Sequence, residues 1–408
     1  MEESNLLRKM KQSSDLNCSS DDNSLSENLK EALKSIIRRE GYVTYKIDVA
    51  TIPQNGGSYL STTTEIEVRG KTAERDKEMN IFVKNILPGD NLDFFSVSDI
   101  HSRELFVYKE LSEVFTKLQD DAGVPINERY RIVKCYEETN SEFLILENLS
   151  KKGFMTIDSI DPISLSFARL SIQQLARLHA LSFVLKNKRP QYFENKIKPI
   201  ESPIKFNEAF KEFVTNFSRI SMQSLDDDMK KKVEKFIPKV IEKMPQYLQD
   251  KSIGCLCHGD FKSTNILTKI TDGEVSEVVT VDYQMIYHGN TLMDIMFFIF
   301  TGTDQQFRRN HLEEIKQLYH DTLRHFLKYF NMDVEDYFSK AKYEEMFKSC
   351  LEYGFMIALC FSPLNFAAKD DIPDFSKVSP SVSRFNIDGR LKNRLEGIVE
   401  DFTQWGYL

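Results

Sequence analysis

Near Leu149 the chain changes its hydrophobic period, and no single regular layer can satisfy both halves. Residues 44–52, 63–68, 80–87, 130–136 and 143–149 are short, β-rich apolar runs separated by polar turns. One stretch interrupts them. There Leu111, Val114, Phe115 and Leu118 recur at i, i+3, i+4 and i+7, one face of a helix, with Arg103, Glu104 and Lys109 in its earlier turns. Five strands and a helix packed on them predict a small α+β lobe. Beyond Leu149 long helical segments dominate, at 164–185, 206–217, 229–248, 305–330, 343–361 and 384–402. They are broken between 254 and 284 by short β-like runs around 255–257, 265–267 and 278–281, with polar loops such as Thr271-Asp272-Gly273. Residues 13–27 are rich in Ser, Asn and Asp, which predicts a mobile leader over 1–27 and a first helix starting near Ser24. The expected division is therefore leader 1–27, an N-terminal lobe 28–149 and a mainly helical lobe 150–408.

Composition narrows the function classes. A chain of 408 residues that is 41% hydrophobic and 28% charged can bury a large core without staples and is not disordered as a whole. Its 54 Lys and Arg against 62 Asp and Glu leave a net charge of −8, the wrong sign for a protein whose main work is to hold nucleic acid. The run Lys230-Lys231-Lys232 follows Asp226-Asp227-Asp228, which reads as a solvated helix start. The six cysteines are scattered without framework spacing, as expected of reduced thiols in the cytosol. Cys255 and Cys257 read as alternation in a strand, not as a metal pair. The first eleven residues lack a signal-like apolar stretch, and apolar runs such as 355–361 fall short of the roughly 20 residues that cross a bilayer. A soluble, cytoplasmic protein with no membrane and no nucleic-acid partner is expected.

The chemistry is concentrated in Cys255-Leu-Cys-His-Gly-Asp-Phe-Lys-Ser-Thr-Asn-Ile-Leu267 and Val278-Val-Thr-Val-Asp-Tyr-Gln284. Phosphoryl transfer from a nucleotide needs a carboxylate near the attacking hydroxyl and oxygen ligands for Mg²⁺. Asp260 suits the first role, and Asn265 with Asp282 the second. A carboxylate and an amide five residues apart on a tight loop can face one cavity, while an Asp ending the following hairpin closes the site. His258 reads as a brace for the loop, and His179 as a satisfied packing histidine.

His-Gly-Asp-x-x-x-x-Asn followed by Val-Asp-Tyr-Gln resembles the aminoglycoside phosphotransferase and choline kinase superfamily, and within it the ecdysteroid kinase-like (CHK kinase-like) family. Matching segments include Asn80-Ile-Phe-Val-Lys-Asn-Ile-Leu-Pro88, Leu144-Ile-Leu-Glu-Asn-Leu149, Leu175-Ala-Arg-Leu-His-Ala-Leu-Ser182 and Gly289-Asn-Thr-Leu-Met-Asp294, so the resemblance runs from about Glu40 to Gly406. It implies a bilobal protein-kinase-like fold and ATP and Mg²⁺ as cofactors. It also implies that Lys84 contacts the α- and β-phosphates, that Glu104 pairs with this lysine, and that the main chain of Glu147 and Leu149 binds adenine. Lys262 stands where protein kinases often place a lysine that stabilises the γ-phosphate, with solvent exposure the competing reading. Asp294 is either an early-turn acid or a brace for the catalytic loop. Residues 54–61 form either a turn covering the phosphates, through N–H groups and the Ser61 hydroxyl, or a simple hairpin.

The leading expectation is an ATP- and Mg²⁺-dependent kinase acting on a small-molecule alcohol, an ecdysteroid or a xenobiotic. Phe206, Phe210, Phe213 and Phe217 recur at i, i+4, i+7 and i+11, which ordinary core packing explains, an apolar acceptor pocket being the sharper reading. The competing class is a catalytically inactive kinase-fold module that holds a hydrophobic ligand. A protein kinase is disfavoured by Gly259 after His258, by Asp282-Tyr-Gln in place of Asp-Phe-Gly, and by the lack of a closing Ala-Pro-Glu.

Overall fold

Leu29, Leu33, Ile36 and Ile37 lie on one stripe of helix α1 (Glu27–Arg39), and all four are buried. Ser26 caps the helix by accepting from Leu29 N, so it starts three residues later than the sequence suggested. The structure, a computed structural model, describes residues 25–52, 61–86, 97–158, 160–368 and 386–408. Nearly all of the expected leader, the turn at 54–60 and Cys18 lie outside these residues. Backbone contacts divide the chain into two compact units, residues 1–54, 60–87 and 133–152, and residues 55–59, 88–132 and 153–408. This is the expected bilobal, protein-kinase-like class, but the boundaries differ from 28–149 and 150–408, because residues 88–132 cluster with the larger unit.

The first unit is an antiparallel sheet of β1 (Tyr42–Ile52), β2 (Ser61–Thr72), β3 (Asp76–Ile86) and β4 (Phe143–Glu147), in that spatial order. Alternation puts Ile66 and Val68, Ile81 and Val83, and Phe143 and Ile145 on the face that packs against α1. Among the described residues the sheet has four strands, not five. Residues 130–136 make only an isolated bridge, Cys135 with Leu146. Tyr136 N donates to Ile145 O at 2.9 Å, yet the Ile145 N–H that would complete the ladder goes to Thr139 Oγ1 at 2.8 Å. A threonine side chain in the turn has replaced the strand's own carbonyl.

In the second unit, α2 (Val97–Phe106) runs through a π turn (Val107–Leu111) into α3 (Ser112–Asp121). Strand β5 (Phe154–Met155) precedes the long helix α4 (Leu165–Lys188), followed by α5 (Glu208–Met222) and α6 (Asp227–Gln249). The predicted β interruption is present. Strand β6 (Cys255–Cys257) pairs with β9 (Tyr287–Gly289), and the hairpin of β7 (Ile266–Thr271) and β8 (Glu274–Thr280) pairs with β5. Helices α7 (Leu292–Gly302), α8 (Gln305–Lys328), α9 (Lys340–Asn365) and α10 (Arg390–Gln404) complete the unit. Every residue of α7 is buried, which makes it the axis of this core. Phe210, Phe213 and Phe217 are core residues, with Phe213 4.4 Å from Phe217 and 5.7 Å from Phe361 between ring centroids. The packing reading of this phenylalanine series holds for these three. Among the described residues no helix is long and apolar enough to cross a membrane.

Helices α7 and α9 meet at Gly354, where a Cβ would stand 2.1 Å from the Phe300 ring. Both residues are buried, so the ring has no free volume to retreat into. Gly354→Val is expected to destabilise the protein by ~2 kcal/mol or more through overpacking. Thermal unfolding checks this, and an unchanged midpoint would show that the helices can separate at no cost.

Candidate active site

Strand β6 ends in a loop that no side chain but hydrogen could occupy at its second residue. Gly259 has φ +79°, and a Cβ there would lie 2.1 Å from Met285 O. Around this glycine the loop is fixed by one carboxylate. Asp294, in the first turn of α7, accepts from His258 N at 2.7 Å and from His179 at 3.1 Å through Oδ2, and from Gly259 N at 2.8 Å through Oδ1. His179 Nδ1 in turn lies 2.8 Å from the Tyr319 hydroxyl. With Nε2–H directed at the carboxylate, Nδ1 accepts from Tyr319. Asp294 is therefore a brace for the loop, one of the two sequence readings, and His179 is the residue that orients the brace.

His258 itself is buried. Its Nε2 donates to Val281 O at 3.2 Å and its Nδ1 faces Asp260 N at 3.4 Å. Burial is the largest influence on its pKa and pushes it down, against the carboxylates of Asp294, Asp260 and Asp282, which favour the charged form. The ring ties the loop to the strand end.

The loop presents Asp260 with a defined set of partners. Oδ2 accepts from Asn265 Nδ2 at 2.8 Å and lies 2.9 Å from Lys262 Nζ, while the same Asn265 amide donates to Asp260 O at 2.9 Å. Asp260 Oδ1 and Asn265 Oδ1 receive no hydrogen bond from the described residues. The sequence placed Asp260, Lys262 and Asn265 together, and the structure does the same; it also turns Lys262 toward Asp260, where the sequence left solvent as an equal alternative.

Asp282 follows β8 with φ 68° and ψ 66°, a left-handed conformation unusual for a non-glycine residue. Val281 N donates to Asn265 O at 2.9 Å, which ties the end of the hairpin back to the Asp260 loop. Beyond it Tyr283 is buried, its hydroxyl donating to Thr280 O at 3.1 Å and lying 2.8 Å from the Tyr130 hydroxyl. Tyr108 packs edge-on against the Tyr283 ring at 5.5 Å. Helix α2 packs on this turn, with Arg103 donating to Ile286 O at 2.8 Å. Glu104 of the same helix is buried and close enough to Tyr283 to raise its pKa, after burial and the neighbouring tyrosines.

The remaining expected residues belong to the first unit or to undescribed side chains. Lys84 lies in β3 opposite Thr63 and Leu144, on the face away from the α1 core, since its neighbour Val83 points into that core. Glu147 ends β4 and pairs with Lys152 at 2.5 Å. Leu149 is buried, its carbonyl accepts from Lys152 N, and its N–H has no acceptor among the described residues. Ser61 opens β2, with its side chain outside the described set.

Sequence reasoning left His179 as packing and passed over Arg103 and the tyrosine cluster. The signal for His179 was its position in an otherwise apolar helix face, a place where a polar ring needs a partner. A ligand atom of Cys257 lies within 4.8 Å of those of His179 and Asp294, but both Asp294 oxygens already accept N–H groups and burial pushes the thiol up.

The profile of the ecdysteroid kinase-like family matches residues 55–332, more than half of the chain. The chain belongs to this family. No curated protein matches it. Among solved structures it is similar to an ethanolamine kinase of Plasmodium vivax, at 13% identity over 77% of this chain and 81% of that one, with a TM-score of 0.35. It is also similar to the streptomycin–ATP ternary complex of APH(2″)-IIa (13% identity, 83% and 96%, TM-score 0.34) and to a glucosamine kinase (10%, 92% and 80%, TM-score 0.37). At these scores the superpositions add no weight to the family match.

His288 and His320 share the condition of His258, since burial also pushes them below the ordinary imidazole value. The unfolded chain therefore binds more protons than the folded one once the pH drops below about 6.5. The stability that these rings contribute is full above that pH and is lost as the pH falls. The thermal midpoint of the protein is expected to drop between about pH 7.5 and about pH 5.5, before carboxylates titrate, and a flat profile would contradict neutral burial.

Proposed function

We propose that this kinase-like protein transfers the γ-phosphate of ATP, in the presence of Mg²⁺, to the hydroxyl of a small-molecule alcohol. The observation that carries the proposal is the state of Asp260: one carboxylate oxygen is held by Asn265 and Lys262 and the other is open. In such a step the acceptor O–H proton passes to Asp260 Oδ1, the acceptor oxygen bonds to the γ-phosphorus, and the bond to the ADP oxygen breaks.

The donor set fits a hard divalent cation. Among the described residues no donor reaches Asn265 Oδ1, and the Asp282 carboxylate would be the second oxygen ligand. Bound Mg²⁺ supplies positive charge to the phosphate oxygens. Lys262, already beside Asp260, supplies charge at the transferring group. Lys84 is assigned to the α- and β-phosphates and Glu104 to orienting it, on the strength of the family pattern and of their chemistry. The Leu149 N–H without an acceptor supports its assignment to adenine, with Glu147 contributing main chain on the same strand end. Ser61 is retained as a phosphate contact on sequence grounds alone. An apolar alcohol, an ecdysteroid or a xenobiotic, is the acceptor class that the family name supports.

Isothermal titration with MgATP, followed by transfer to a panel of steroid and phenolic alcohols, tests this reading. Asp260→Ala is expected to abolish transfer while leaving nucleotide affinity within about threefold, and Asp282→Ala to lose Mg²⁺-dependent affinity, since one charge-assisted contact is worth ~1.5–3 kcal/mol. No nucleotide binding at millimolar MgATP would end the kinase reading. Binding without transfer to any acceptor would favour the inactive ligand-holding module.

A further inference from the structure

Helix α4 has a second polar face, which lines a cavity. His179 points to the Asp294 carboxylate, and Arg177, two residues earlier, is about 200° away around the helix. With Leu170, Gln173 and Gln174, at i, i+3, i+4 and i+7, Arg177 lines a cavity of about 1010 Å³ that lies wholly within the second unit. Helix α3, the turn Ile126–Glu128, strand β8 and helix α8 supply its other walls. No residue of the Asp260 loop contributes to it.

The charges in this cavity are unevenly matched. Arg129 is paired with Asp120. Glu128 is 2.9 Å from His325 Nε2, and Asp321 is paired with Arg324. Arg177 forms no hydrogen bond and no ion pair with the described residues, although it is half-buried and burial lowers its pKa, with Glu128 acting only at a distance. A partly desolvated guanidinium without a partner is costly, and its planar fork is shaped for an oxyanion. Around it the walls are apolar at Leu170, Val279 and Phe326, and Ile126 stands 82% exposed at the rim.

We propose that this cavity binds a small organic anion, an oxyanion group on an apolar or aromatic body, with Arg177 as its counter-charge. Its occupancy is communicated to the nucleotide site. Two routes of contact lead there: Val279 lies in the strand that ends before Asp282, and Tyr130, which lines the cavity, is hydrogen-bonded to Tyr283. Only this second part rests on the kinase reading.

The test uses 8-anilinonaphthalene-1-sulfonate, a fluorescent sulfonate with an aromatic body, titrated into the full chain. Saturable one-to-one binding is expected, weakened at least about tenfold in Arg177→Gln and less in Arg177→Lys, as loss of one charged contact requires. Gln173→Trp, which fills the cavity from a partly exposed position, is expected to remove binding and decides the matter if Arg177→Gln does not fold. The uncharged analogue N-phenyl-1-naphthylamine should bind wild type and Arg177→Gln alike. Displacement by 1-naphthoate or by 1-naphthyl phosphate distinguishes a carboxylate from a phosphate ligand, and displacement by neither overturns the proposal. Binding that is absent, or indifferent to both Arg177→Gln and Gln173→Trp, overturns it as well. For the coupling, the MgATP dissociation constant is expected to shift at least about threefold at saturating probe, and an unchanged constant refutes it. A protein that bound the probe through Arg177 but no nucleotide would refute the kinase reading and the coupling, and leave the anion site standing.

Discussion

The two-oxygen grip of Asp294 on the His258 and Gly259 amides is the contact on which the rest of the site depends. A carboxylate buried at the head of an apolar helix is expensive unless each oxygen meets a donor, and here three N–H groups meet it. Two of those donors come from the loop after β6 and one from α4, so the charge can be buried only when loop and helix are both in place. Tyr319 extends the chain to α8 through the far nitrogen of His179. The loop bearing Asp260 is thereby anchored to α7, a helix whose every residue is buried.

The same logic reaches Asp282. Its left-handed backbone costs free energy that the surroundings must offset, and the hydrogen bond from Val281 to Asn265, together with the buried tyrosine turn beyond, holds it there. The two acidic residues assigned to chemistry are not independent ornaments on a scaffold. They are joined through Asn265, whose side chain binds Asp260 and whose carbonyl receives the strand that leads to Asp282.

What was legible in the sequence was what is local. The Asp260, Lys262 and Asn265 constellation spans six residues, so spacing alone brought it together, and the helices of the second unit showed their 3.6-residue period plainly. The strands were found with ends misplaced by up to four residues, short at the polar margins of β2 and β3 and long by two at β4, because polar residues at a sheet margin carry no periodic signal. The fifth strand failed for a reason no period can express, since Thr139 captures the Ile145 amide with a side chain. His179 and Asp294 are 115 residues apart and Tyr130 and Tyr283 are 153 apart. Partnerships of that range are products of packing, and only the fold reveals them.

The brace has one consequence that concerns entropy. The hydrogen bonds of Asp294 to the loop and of Asn265 to Asp260 are formed within the chain itself. These bonds restrict the loop's conformational freedom already on folding. A ligand arriving at Asp260 meets groups already in position, so its binding energy is not diverted into ordering the protein, and the reorganisation that water would require around a lone carboxylate is largely absent. Stability and preorganisation are here the same set of bonds, and what loosens the one degrades the other.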